Sequence, residues 1–361
     1  MERRTFIKNL SYGTVAVTLP LWAAIPVDDK ISEDSVRNWM WTGGFRRRDT
    51  EELKKRFSDL RELGITGLNM RGGDMETILP VAAKEGFEVH SWIWALCHPY
   101  GKTMEEHPEW YMINRNRVSC IDKPPYVGYY RWLCPTKPEV QEYMKQRVLN
   151  LCKYDGLAAV HLDYIRYPDV ILPVNIQPKY NLVQDKEYPE YDFCYCEDCR
   201  KAFKEKEGID PLELEDPPSH IAWNEFRLNS VVQLVNMLAD TAHQNGKKIS
   251  AAVFPTPEIA ITLVRQDWPR WNVDEIFPMM YHRDYNEDVE WIGEATLLDV
   301  KALKNSKTRL FSGMIINSFR PEDIPRAINL AFKNGAKGIC VFGGINSERR
   351  DIFKKALRHY L

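Results

Sequence analysis

From residue 38 onward, short apolar runs alternate with stretches whose apolar residues recur at helical spacing, and the alternation repeats eight times. Strands are expected over 39–42, 67–70, 89–96, from 157, and over 249–254, 275–281, 310–316 and 338–342. Helices are expected over 49–64, 75–85, 138–154, 197–207, 221–245, 289–304, 321–334 and 347–361, the last with Ser347 as its N-cap. In the first helix Leu53, Phe57, Leu60 and Leu63 fall on one face, as a helix packed on a sheet requires. Strands that alternate with helices form a parallel sheet, and eight of them close into a barrel. A doubly wound sheet is the rival. It is disfavoured because no strand runs into G-x-G-x-x-G, and the last helix follows the eighth strand directly. The expectation is an α/β fold, a (β/α)8 TIM barrel over 31–361. Long irregular inserts, 97–135 and 169–193, follow strands three and four. Inserts of that length are commonly functional, and their aromatic content argues against disorder.

The start of the chain has its own character. Arg3 and Arg4, with Phe6 and Lys8, precede a mostly apolar stretch over 10–24. This reads as a twin-arginine (Tat) export signal, with cleavage near Ala23 or Ala24, so that 1–30 is signal and linker. The segment is too short and mixed for a membrane span. A periplasmic or secreted protein with no stable span after signal removal is therefore expected. A formal net charge of -2 gives no sign of a nucleic-acid or anionic-membrane partner. Eleven Trp and seventeen Tyr exceed what a core needs, and aromatic faces suit stacking on the C–H face of sugar rings. The oligomeric state is not readable.

Eight cysteines are present, and Cys194, Cys196 and Cys199 form a C-x-C-x-x-C cluster. Three thiols this close would bind a structural zinc if a fourth ligand came from elsewhere. A disulfide and free thiols stay open beside that reading. No cofactor is expected to be required for catalysis.

In a barrel of this class the reactive groups sit at the C-terminal strand ends. The fourth strand reads L-A-A-V-H-L-D-Y-I-R-Y-P over 157–168. Alternation puts His161 and Asp163 on one face and Val160 and Leu162 on the other. Arg166 would keep Asp163 ionised, or the two would merely clasp the loop. Trp41 and Trp94 are candidates to stack on sugar faces, and Asn69 and Arg71 to hydrogen-bond hydroxyls. The sixth strand ends Y-H-R-D, placing Tyr281, His282 and Asp284 at its exit. Glycoside hydrolysis needs two carboxyl groups flanking the scissile bond. Asp163 is the first. Asp284 is the expected acid/base, with Glu258 and Glu109 as alternatives; each of these three alone also reads as an ordinary solvated carboxylate. Two other functions compete. The lack of an obvious second carboxylate allows a non-catalytic carbohydrate-binding barrel. His161, Asp163 and His282 allow a metal-dependent hydrolase. That reading is disfavoured by a total of eight histidines and by His90, which lies early in its strand.

H-L-D-Y-I-R-Y-P (161–168), H-P-E-W (107–110) and F-P-M-M-Y (277–281) resemble the family-ten-like glycosyl hydrolase proteins. The resemblance spans most of the expected barrel. It implies a TIM barrel acting on carbohydrate polymers by a retaining mechanism. The nucleophilic Asp at the end of strand four would be Asp163, and the acid/base Asp after strand six would be Asp284. The segment C-Y-C-E-D-C-R-K-A-F (194–203) is similar to one found in carbohydrate-active barrels.

Overall fold

The computed structural model describes residues 37–45 and 49–361. The expected export segment and linker, 1–30, lie outside them.

Nine parallel strand segments form one sheet: β1 (Trp39–Gly43), β2 (Gly67–Arg71), β3 (Glu88–Trp94), β4 (Ala159–Asp163), β5 (Lys248–Val253), β6 (Glu275–Pro278), β7 (Arg309–Leu310), β8 (Ser312–Met314) and β9 (Ile339–Val341). Neighbours run β7-β6-β5-β4-β3-β2-β1-β9-β8. β7 and β8 are two pieces of one strand. Arg309–Leu310 pairs with β6, Ser312–Met314 pairs with β9, and a bridge joins Met279 to Gly313. The expected seventh strand is thus broken at Phe311, and the ring still closes through it. Around the strands lie α1 (Thr50–Glu62), α2 (Met75–Lys84), α3 (Pro138–Cys152), α4 (Glu197–Glu207), α5 (Ile221–Gln244), α6 (Pro257–Val264), α7 (Trp291–Ala302), α8 (Ile324–Lys333) and α9 (Ser347–Leu357). α9 begins at Ser347, so its cap is Asn346 rather than Ser347. α6 is not among the helices expected from sequence. Among the described residues no helix is long and apolar enough to cross a membrane.

The described residues form two apolar cores. The larger lies between strands and helices. The smaller fills the barrel: Trp39, Trp41, Ala252, Phe277, Phe311 and Cys340. Side chains that point into a barrel must share a narrow lumen, and two glycines make room for the tryptophans. A Cβ on Gly67 would stand 2.4 Å from the Trp39 ring, and one on Gly313 would stand 2.8 Å from that of Trp41. Overpacking of this kind costs about 1–3 kcal/mol.

A polar spine descends through the same lumen. The Trp41 indole donates to His161 Nε2 at 3.0 Å. An indole N–H can only donate, so His161 carries its own proton on Nδ1, where Ser250 Oγ accepts at 2.9 Å. Ser250 then donates to His90 Nδ1 at 3.0 Å, and His90 Nε2 faces Glu88 at 3.4 Å. Burial, and the neighbouring His90, hold His161 well below the usual imidazole range, so it stays neutral.

Candidate active site

β3 and β4 run in register, Trp92 opposite His161 and Trp94 opposite Asp163. Successive positions on one face therefore stack as layers. His161 and Trp92 lie one layer below Asp163 and Trp94, and the upper layer opens into a cavity of about 310 Å³ at the C-terminal strand ends. Trp41, Trp92 and Trp94 line it with Asp163, Met279 and Phe342. Tyr281, Asp284 and Tyr285 come from the β6 exit. The stretches between β3 and α3 (95–137) and between β4 and α4 (164–196) supply walls, through Tyr126, Tyr130, Asp169 and Tyr180. These two stretches are joined to each other. Tyr126 donates to the Asp169 carbonyl at 2.9 Å and stacks on Tyr191 with ring centres 4.4 Å apart. Asn175 ties the second stretch to the β6 exit, its N–H donating to the Asp284 carbonyl at 3.0 Å. Larger surface grooves between the outer helices bring no such set of carboxyl and aromatic groups together.

Asp163 is half-buried at the base of this cavity. Its Oδ2 accepts from the Trp92 indole at 3.0 Å, and its Oδ1 accepts from the Tyr164 backbone N–H at 2.7 Å. Burial pushes its carboxyl above the usual range. The Tyr164 and Trp92 hydrogen bonds and the charges of Arg166 and Arg71 oppose that shift without cancelling it. Burial also raises Asp284, and there only Lys179 opposes it. Tyr281 lies within electrostatic reach of both: burial raises its phenol most, and Asp163 and Asp284 add to the shift. The two carboxyls thus face one cavity in unequal surroundings. Asp163 has two donors and two cations favouring ionisation, whereas Asp284 has a single lysine.

The structure rearranges several expected roles. Arg166 does not pair with Asp163. It is buried and bonded to Asp169 at 3.1 Å, between the rings of Trp132, Tyr164 and Phe254. Asp169 was missed from sequence, although its spacing of three from Arg166 is a signal for the pair. Trp41 and Trp94 line the cavity, as does Tyr281. Arg71 reaches the rim only through Trp94, its guanidinium 3.7 Å from the ring centre. Asn69 is sealed inside the barrel with its amide against Cys340 Sγ at 3.6 Å, so it meets no ligand in the cavity. His161 lies beneath the floor and holds Trp41 in place instead of touching a ligand. His282 is buried and stacked on Phe319 at 4.7 Å, away from the cavity lining. Glu258 is exposed, and so is Glu109, which bonds His107 at 3.2 Å; neither lines the cavity. His161, Asp163 and His282 therefore do not converge as ligands.

Among the described residues two sets of His, Cys, Asp and Glu bring their ligand atoms within 4.8 Å of one another. Glu88, His90 and Glu275 form one at the opposite barrel end, where Arg37 and Lys248 pair with Glu88 and Arg309 pairs with Glu275. The other joins Cys194, Cys196 and Cys199 to Cys134, a residue no local spacing could connect to them.

The fold recurs in solved carbohydrate-active enzymes. The catalytic domain of a β-amylase from Paenibacillus polymyxa superposes with a TM-score of 0.60 at 12% identity, covering 91% of this chain and 99% of that one. A β-galactosidase from the psychrophilic Marinomonas ef1 gives 0.62 at 11%, covering 90% of this chain and 59% of that one. A GH42 β-galactosidase from G. stearothermophilus gives 0.58 at 12%, covering 88% and 56%. The chain thus spans little more than half the length of these galactosidases, and at such identities the likeness concerns the fold. No curated protein matches the sequence significantly. The glycosyl hydrolase-like 10 family pattern, however, matches residues 64–328, from before β2 into α8. That span contains both carboxylates, both cleft-walling stretches and the cysteine cluster, and the chain belongs to the glycosyl hydrolase-like 10 family.

Proposed function

We propose that this barrel is a retaining glycoside hydrolase acting on an oligo- or polysaccharide, with Asp163 as nucleophile and Asp284 as acid/base. The observation that carries the reading is a single cavity holding Asp163 and Asp284 among Trp41, Trp92, Trp94 and Tyr281. Two carboxyls in unequal environments divide naturally into an ionised partner and a protonated one. The Trp92 and Tyr164 donors favour the carboxylate form of Asp163 and fix its orientation toward an anomeric carbon. Asp284, with little to stabilise its charge, keeps a proton for the departing glycosidic oxygen. In the first step Asp163 displaces that oxygen while Asp284 protonates it, leaving a glycosyl ester on Asp163. In the second, Asp284 takes a proton from water, which attacks the anomeric carbon and frees Asp163. The aromatic walls exclude water from the ester and offer flat apolar faces to sugar rings. The Arg166–Asp169 pair is not assigned a chemical step; it anchors the wall.

Reducing-sugar release on a panel of polysaccharides tests the reading. Asp163→Asn should abolish turnover on whichever saccharide the native protein cleaves, with folding intact. Tight binding of a saccharide by the native protein with no cleavage of any panel member would favour the alternative, a carbohydrate-binding barrel. The Arg3-Arg4 start supports export before the enzyme works. Replacing both with Lys should hold the protein in the cytoplasmic fraction, and unchanged export would refute that part.

A further inference from the structure

The cysteine cluster belongs to neither the cavity nor the barrel lumen, and nothing in the proposed reaction uses it. Cys134 ends the 95–137 stretch just before α3. Cys194 and Cys196 end the 164–196 stretch, Cys196 as the cap residue of α4, and Cys199 lies in the first turn of that helix. All four are buried, none more than 3% exposed. Their sulfurs lie within 4.8 Å of one another; Cys134 Sγ is 3.4 Å from Cys199 Sγ and 3.8 Å from Cys196 Sγ.

Those separations discriminate between chemistries. A disulfide would bring one pair to about 2.05 Å. Four thiolates about 2.3 Å from a central zinc ion stand at tetrahedral corners with edges of about 3.8 Å. The sulfurs match the second arrangement. Four buried thiols crowded this closely gain little from one another as weak hydrogen-bonding groups, whereas a divalent cation at their centre offsets the charge of two thiolates outright. The surroundings complete the set. The Cys199 sulfur bonds Thr136 Oγ1 at 3.4 Å. Lys137, next in sequence, is buried and ion-paired with Asp198, placing a cation beside a site that carries net negative charge when filled.

We propose that Cys134, Cys194, Cys196 and Cys199 bind one Zn²⁺ as a closed structural site. Binding converts four thiols and Zn²⁺ into a tetrathiolate with release of four protons, and no electron changes hands. Four protein ligands leave no open position for water or substrate, so the ion takes no part in catalysis. Its role follows from what it joins. The 95–137 stretch carries Tyr126 and Tyr130, and the 164–196 stretch carries Asp169 and Tyr180, all in the cavity lining. A crosslink at the feet of both fixes the spacing of the cleft walls, whatever reaction takes place between them.

Elemental analysis of the purified, untagged full chain should find one zinc per chain. Titration with a mercurial in the presence of a colorimetric zinc indicator should release that zinc as about four thiols react. Cys134→Ser should lose the metal, while Cys152→Ser, a cysteine on α3 outside the cluster, should keep it. If Cys134→Ser does not fold, the native protein still decides. Stripping its zinc should expose 95–137 and 164–196 to limited proteolysis before the rest of the barrel is cut. A native protein without zinc, whose four cysteines are found as disulfides or react freely with no metal released, overturns the proposal, as does iron in place of zinc.

Discussion

The two ends of the barrel treat buried carboxylates in opposite ways. At the N-terminal end Glu88 and Glu275 are surrounded by partners. Arg37 is 3.2 Å from Glu88, Lys248 is 3.1 Å from it, His90 is 3.4 Å from it, and Arg309 pairs with Glu275. Burial by itself would raise the Glu88 carboxyl, but His90, Lys248 and Arg37 overcome it and hold the group well below the usual range. At the C-terminal end Asp163 and Asp284 are also removed from water, yet no cation bonds either of them, and burial prevails at both. One fold thus gives Glu88 and Glu275 cation partners at the closed end and leaves Asp163 and Asp284 without one at the open end. Satisfied charge stabilises; unsatisfied charge beside a cavity is what chemistry uses. The Arg166–Asp169 pair sharpens the point. An arginine stands three residues from Asp163, and the chain gives it a different carboxylate, Asp169, so Asp163 is left without a cation partner.

The contrast can be broken at either end. The largest effect expected is at the open end: Asp163→Asn should lower turnover roughly 10⁴-fold or more, as removal of a nucleophile does, in steady-state assays on the cleaved saccharide. Asp284→Asn should cost roughly 10²–10⁴-fold, the usual worth of a general acid. The deficit should shrink on aryl glycosides whose leaving group needs no proton. An equal deficit on both substrates would remove Asp284 from the acid role. Activity should rise with pH as Asp163 ionises and fall as Asp284 loses its proton, and Asp284→Asn should erase the falling limb. At the closed end Glu275→Gln should leave turnover per folded molecule unchanged. It should destabilise by roughly 1 kcal/mol in denaturant unfolding, because Arg309 and Lys248 lose a partner but stay partly in water. Loss of turnover without loss of stability would reverse the assignment of the two ends. The smallest effect is in the pH dependence of stability. The pairing at Glu88 is fully felt above its unfolded pKa, about 4.3, and is lost as pH falls through the lower folded value. Asp163 has the opposite sign: its raised folded value costs stability above the unfolded pKa of about 3.9. Asp163→Asn should therefore raise the melting temperature at pH 7, and the gain should vanish below about pH 4. A gain that persisted there would show that ionisation was not its cause.

The alternation of apolar runs reveals the barrel, because both the strand and the helix period are written in residues 38–361. It does not reveal where a strand changes partner: Phe311 continues the apolar run, and there the pairing passes from β6 to β9. Nor does it show α6, whose eight mostly apolar residues are too few to establish a period in an apolar run. Asp163 is legible because a carboxylate that closes an apolar strand is costly to bury, and it stays there only beside a partner or a cavity. Asn69 and His161 mislead for a shared reason. Alternation tells which face a residue takes but not its height within the lumen, nor whether a short side chain reaches the cavity. Trp41 and Asn69 are register partners, and only the longer one reaches it. His282 leaves the strand at a turn where alternation no longer applies. Cys134 sits 60 residues before the cluster that it completes, a distance that only the fold closes.

The central claim is that the unpaired carboxylate of Asp163 forms the bond to sugar. Mixing Asp284→Asn with an aryl glycoside of the cleaved sugar, quenching in acid and mapping peptides by mass tests it most directly. The peptide containing Asp163 should carry one glycosyl unit. A label on Asp169, or hydrolysis by the native enzyme with inversion at the anomeric carbon and no label at all, would contradict it.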